Sequence, residues 1–175
     1  MPTLFAPWRM EYVLGPKADE CVLCIPESTA RDRDQLVLVR GRLCFVIMNR
    51  YPYANGHLMM APYRHVPDLA DLNEAEAGEM TAWLQHSVRA LRVALGPDGF
   101  NIGMNLGSVA GAGIQDHLHM HVVPRWHGDT SFMTVCGQTR VVSEHLSATY
   151  DKLAPLFLPP HPPSNPAQGE AVCAT

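Results

Sequence analysis

No apolar run in these 175 residues approaches the length of a membrane span. The chain is therefore not expected to cross a bilayer as a helix. Lys and Arg are not in excess either: 13 basic residues face 17 acidic ones, for a net charge of −4. That balance argues against a nucleic-acid binder working through a basic surface, while leaving room for local positive charge in a pocket. The start, Met1-Pro2-Thr3-Leu4-Phe5-Ala6-Pro7-Trp8-Arg9, lacks the basic start and apolar core of a signal peptide, so a cytoplasmic location is expected. Five cysteines is an odd number, which argues against a complete disulfide framework. There is no internal repeat and no composition break marking a second domain.

What remains is an ordinary globular composition, 47% hydrophobic and 17% charged, long enough for one core. One domain is expected over residues 1–158. Residues 159–175, rich in proline and small residues, read as a flexible tail. Gln35–Val39 and Arg42–Met48 read as a hairpin turning at Arg40-Gly41. Tyr51–Gly56 reads as a loop and His57–Ala61 as a third strand. Asn73 with Glu76 forms a capping-box pattern, and Met80, Leu84, Val88, Leu91 and Leu95 recur at helical spacing. A helix over Asn73–Leu95 ending at Gly96-Pro97 follows. Phe100–Asn105 and His117–Val123 read as two more strands. Five strands and one long helix joined by short turns predict an α+β fold with an antiparallel sheet and short terminal helices.

The chemistry concentrates in His117-Leu118-His119-Met120-His121. Alternate residues of a strand share a face, so the three imidazoles are expected together, about 6–7 Å apart along the chain. Packing gives little reason to bury three unpaired imidazoles side by side. Such a face can hold a metal ion. It can also transfer a phosphoryl or nucleotidyl group: a neutral imidazole attacks phosphorus while its neighbours donate protons to the phosphate oxygens. Asn105-Leu106-Gly107-Ser108-Val109-Ala110-Gly111-Ala112-Gly113, just upstream, is a glycine-rich loop whose backbone can approach an anion closely. It favours the second reading.

Cys21-Val22-Leu23-Cys24 is a C-x-x-C pair, open to metal, redox or coincidental readings, without the βαβ setting of a thioredoxin motif. With His65 and His117 it would make a closed Cys₂His₂ set suited to a structural zinc.

The run His117–Val123 matches the signature of alternating histidines and apolar residues of the histidine triad (HIT) superfamily. Val46-Ile47-Met48-Asn49-Arg50-Tyr51-Pro52 and Asn55-Gly56-His57-Leu58 resemble that family's nucleoside-binding strand and turn, and the likeness runs from about Leu36 to Met133. Pro7–Tyr12 and Pro124–Thr130 are similar to the branch containing diadenosine tetraphosphate phosphorylases and related fragile-histidine-triad enzymes. The resemblance implies a homodimer that cleaves dinucleoside polyphosphates through a nucleotidyl-histidine on His119. It implies His121 at the phosphate, His57 behind the site, Asn49 by the ribose, and Asn105, Gly111 and Gly113 around the phosphate. It also implies zinc on Cys21, Cys24, His65 and His117, which would make His117 a ligand. Relatives carry a phosphate-touching Gln or Ser shortly before the triad; here, in Gly111-Ala112-Gly113-Ile114-Gln115-Asp116, glycine backbone is expected to replace that side-chain contact, which leaves water and phosphate both open as acceptor. Nucleoside phosphoramidate or adenylylsulfate cleavage at the same site, a nucleotide-binding signalling module, and a zinc-dependent hydrolase are the alternatives. They would be separated by substrate, by covalent intermediate, and by chelator sensitivity.

Overall fold

The structure is a computed structural model that describes residues 21–129 and 144–158. The tail 159–175, the start around Trp8 and Tyr12, and Cys136 and Cys173 lie outside the described residues.

Five antiparallel strands form one sheet in the order β1-β2-β3-β5-β4: β1 (Val37–Arg40), β2 (Cys44–Met48), β3 (Leu58–Pro62), β4 (Gly99–Met104) and β5 (Met120–Arg125). Among the described residues three α-helices accompany it: α1 (Asp32–Gln35), α2 (Glu74–Leu95) and α3 (Leu146–Phe157). Among the described residues no helix is long and apolar enough to cross a membrane.

The long helix follows its sequence signals. Asn73 is the N-cap, its side chain accepting from the Glu76 N–H at 2.9 Å, while Glu76 Oε2 accepts from the Asn73 N–H at 3.0 Å. Gly96, at φ 57°, ends the helix in the left-handed conformation that glycine adopts without strain. The buried stripe is turned slightly from the expected one. Met80, Ser87, Ala90 and Leu91 are buried, whereas Leu84, Val88 and Leu95 pack at its margin. Glu76 is buried as well and carries a paired charge, because Arg64 reaches both its carboxylate oxygens at 2.6 Å.

The strand boundaries differ from expectation for local reasons. Gln35 is helical and Leu36 caps α1 at φ 65°, so β1 begins at Val37. Arg42 and Leu43 belong to the hairpin turn, whose Leu43 and Cys44 N–H groups donate to Glu79 Oε1 from α2. β5 begins at Met120, not His117. Its ladder with β3 ends at the Met60–Met120 pair, and the Leu118 N–H turns to the Val66 carbonyl instead.

The two sheet faces are filled unequally. On one, Cys44, Val46, Met48, Leu58, Met60 and Val122 pack against α2 and α3. On the other, Leu23 covers Val37, Phe45, Ile47, Met59 and Ala61. That smaller cluster sits over β1–β3, and the exposed middle of β4 marks the open end of the sheet. The site lies between them.

Candidate active site and metal cluster

Two of the three histidines of the run form the site and the third leaves it. His119 and His121 have ring centroids 4.7 Å apart, edge to face. The His117 ring instead joins Cys21, Cys24 and His65. His121 faces Met59 on β3 and Gly103 on β4. A Cβ at Gly103 would meet nothing within 4 Å, so the strand beside His121 leaves open space for a ligand.

Hydrogen bonds fix which ring nitrogens carry protons. His119 Nδ1 lies 2.8 Å from the main-chain carbonyl of His117. A carbonyl only accepts, so Nδ1 holds a proton, and in the neutral ring Nε2 carries the lone pair. His57, fully buried at the head of β3, has Nδ1 3.2 Å from the Tyr53 N–H and 3.3 Å from Asn49 Nδ2. The Asn49 amide is oriented by the Tyr51 N–H, which donates to its Oδ1 at 2.8 Å. Both neighbours of His57 Nδ1 are donors, which puts the His57 proton on Nε2, 2.9 Å from His121 Nδ1. His121 then accepts at Nδ1 and, when neutral, presents Nε2–H. A bare nitrogen on His119 thus stands beside an N–H on His121. Burial, helped by repulsion from His119, pushes the His121 pKa down to about 4, so the ring is neutral at pH 7.

Asn105 follows β4, and its side-chain amide donates to the Gly111 carbonyl at 3.4 Å, bracing the glycine-rich loop. Gly107 and Gly111 hold φ of 76° and 89°, which a side chain would strain. Gly113 is exposed in the same loop. Asn49 lies against the His57 ring. Sequence reasoning missed Tyr53. Its ring centroid is 4.7 Å from that of His57 and 5.9 Å from that of His121. Tyr51-Pro52-Tyr53 signalled only a loop, so no sequence pattern marked this contact.

Cys21, Cys24, His65 and His117 bring their ligand atoms within 4.8 Å of one another. Sulfur–nitrogen separations are 3.2 Å for Cys24–His65, 3.5 Å for Cys21–His117 and 3.8 Å for Cys24–His117. A tetrahedron with Zn–S and Zn–N bonds of ordinary length has a sulfur–nitrogen edge of roughly 3.5 Å. The second shell fits as well: His117 Nε2 donates to the Pro62 carbonyl at 2.8 Å, leaving Nδ1 to face the thiols. Burial pushes the His117 pKa down to about 4, and a neutral imidazole is the ligating form. These residues can hold a metal ion.

The remaining histidines among the described residues lie elsewhere. His86 directs Nε2 to the Leu156 carbonyl at 2.8 Å and tethers α2 to α3. His145 caps α3. His127 is almost wholly exposed beside Asp98.

Residues 30–128 match the HIT domain. The chain belongs to the HIT domain family. It is 40% identical to a Mycobacterium tuberculosis AP-4-A phosphorylase over 163 residues, 86% of this chain and 82% of the relative. An asymmetrical bis(5'-nucleosyl)-tetraphosphatase of Schizosaccharomyces pombe is 28% identical over 70% of this chain and 63% of its own length. Among solved structures, a Zn-bound histidine triad family protein from Mycobacterium smegmatis superposes with a TM-score of 0.61 at 27% identity. It covers 79% of this chain and 93% of its own. The HIT fold accounts for the five-strand antiparallel sheet and its long helix.

Proposed function

We propose that this HIT protein cleaves dinucleoside polyphosphates such as diadenosine tetraphosphate through a nucleotidyl-histidine intermediate. The observation that carries the reading is the pairing of a lone-pair nitrogen on His119 with an N–H on His121. His119 Nε2 attacks the α-phosphorus, a P–N bond forms, and the P–O bond to the leaving nucleotide breaks. His121 Nε2–H donates to phosphate oxygen as charge builds there. Asn49 and Tyr53 hold His57, and His57 holds His121. The loop braced by Asn105 brings Gly111 and Gly113 to the phosphates, with Asn49 beside the ribose. Water or phosphate then attacks the phosphorus in line with the P–N bond: a new P–O bond forms, the P–N bond breaks, any proton of the acceptor passes to solvent, and His119 is regenerated. The similarity to the phosphorylase and the tetraphosphatase supports this substrate class.

The metal is zinc in this proposal, held by Cys21, Cys24, His65 and His117. Four protein ligands leave no position for a water, so the ion supplies rigidity and His117 does no acid–base work. A reducing compartment, the cytoplasm, keeps both thiols available. The working unit is a homodimer. β4 is the outer strand of the sheet, with Asn101, Ile102 and Gly103 exposed, and a second copy on that edge would continue the ladder. Light scattering that finds only monomer at micromolar concentration would contradict the dimer.

The test of the reaction is incubation with diadenosine tetraphosphate, with and without phosphate, followed by product separation. ATP plus ADP formed only with phosphate identifies a phosphorylase. ATP plus AMP without phosphate identifies a hydrolase, whereas two ADP would mean cleavage at the β-phosphorus and would contradict attack on the α-phosphorus. No cleavage in either condition contradicts the reading.

A further inference from the structure

The β2–β3 loop delivers Tyr53 to the site, yet its anchor lies outside the site. Asn55, two residues after Tyr53, reaches α3. Thr149, wholly buried in the first turn of that helix, has Oγ1 2.8 Å from Asn55 Oδ1 and 2.9 Å from Glu144 Oε2. The Asn55 amide donates to the same Glu144 oxygen at 3.4 Å, and Lys152 pairs with the other carboxylate oxygen. A hydroxyl has a single proton, so Thr149 shares it between two acceptors that lie side by side. Asn55, Thr149 and Glu144 are thereby closed into one ring of hydrogen bonds.

The helix that provides this ring is itself fixed to the sheet. The Tyr150 hydroxyl donates to the Val37 carbonyl at 2.9 Å, and His86 holds Leu156. Leu153 and Phe157 are buried in the helix-side core. On its other side the loop meets His57 and His121. The Tyr53 N–H donates to His57 Nδ1, and the Tyr53 ring contacts both His57 and His121.

We propose that Thr149 and Asn55 are positioning residues for the catalytic histidines: α3 sets the loop, and the loop sets His57 and His121 through Tyr53. The physical reason is the proton placement along the relay. The Tyr53 N–H is one of two donors that keep His57 Nδ1 bare. If the loop moves, that donor is lost and His57 can take its other tautomer. His57 Nε2 then no longer donates to His121, and His121 no longer presents Nε2–H to the phosphate. Displacement of the order of 1 Å at a remote residue can cost about a hundredfold in rate. The kinetic consequence rests on the nucleotidyl-transfer reading; the ring protonation does not.

The test uses Thr149→Val, which keeps the volume and removes the hydroxyl, Thr149→Ser, which restores it, and Asn55→Ala on the partly exposed loop. Histidine ring tautomers are read from long-range proton–nitrogen correlation spectra of ¹⁵N-histidine-labelled protein without substrate. Turnover is then measured with diadenosine tetraphosphate. Wild type should show His57 and His121 both protonated at Nε2. Thr149→Val and Asn55→Ala should populate the other tautomer and lose on the order of ten- to a hundredfold in kcat, with KM within about twofold. Thr149→Ser should recover both signals. Unchanged His57 and His121 spectra in the two disabling variants would overturn the proposal. So would a Ser variant as impaired as Val, since volume would then matter and not the hydroxyl. If Thr149→Val does not fold, Asn55→Ala decides alone. If the dinucleotide is not a substrate for wild type, the proposed reaction fails while the spectra still decide the positioning role.

Discussion

His119 Nδ1 donates to the main-chain carbonyl of His117 at 2.8 Å, while the ring of His117 points into the cysteine cluster. One residue thus holds His119, the proposed nucleophile, with its backbone and joins the cysteine–histidine cluster with its side chain. The two-residue spacing of the histidine run makes this possible.

Loss of a cluster ligand should therefore reach the active site. Cys21→Ser is expected to release zinc, lower the melting temperature and reduce turnover, because the segment 117–119 loses its anchor. Elemental analysis of protein purified without added metal should find about one zinc per chain in wild type. A Cys21→Ser protein as heat-stable as wild type would contradict the structural role.

The lowered pKa of His121 gives a pH dependence with a definite sign. Between about pH 6.5, the ordinary histidine value, and about pH 4, the folded protein binds fewer protons at this residue than the unfolded chain does. The contribution is fully present above about pH 6.5 and is lost as pH falls toward 4. Urea midpoints measured across this window should fall toward acid in wild type and fall less steeply in His121→Asn. Parallel curves would show that His121 does not titrate as described.

The capping box can be tested on its own. Asn73→Ala removes the acceptor for the Glu76 N–H and should cost about 1 kcal/mol, or roughly 2–4 °C in melting temperature. Thermal unfolding followed by circular dichroism measures it. Catalysis should be unaffected, because α2 meets the sheet on the face opposite the histidines.

Much of this was legible in the sequence because the relevant signals are local. The capping box, Gly96 and the alternating histidines each occupy a few adjacent residues, and Cys21, Cys24, His65 and His117 are recognisable by residue type. Boundaries were harder to read. β5 starts three residues late because the Leu118 N–H finds the Val66 carbonyl, a contact over fifty residues distant that no local pattern encodes. Ser87 displaced Val88 from the buried stripe of α2 because sheet contacts set the helix rotation. Tyr53 and the Asn55–Thr149 contact were invisible for the same reason: each residue is ordinary alone and gains meaning from a partner that folding brings to it.

His119 as nucleophile is the centre of the proposed mechanism. The most direct measurement is mass spectrometry, at neutral to alkaline pH, of protein quenched in a single turnover with diadenosine tetraphosphate. Wild type should carry a nucleotidyl group, and peptide mapping should place it on His119. His119→Ala should carry none and should lose turnover while still binding nucleotide by calorimetry. An adduct on another residue, or His119→Ala retaining more than a few per cent of wild-type turnover, would contradict the mechanism.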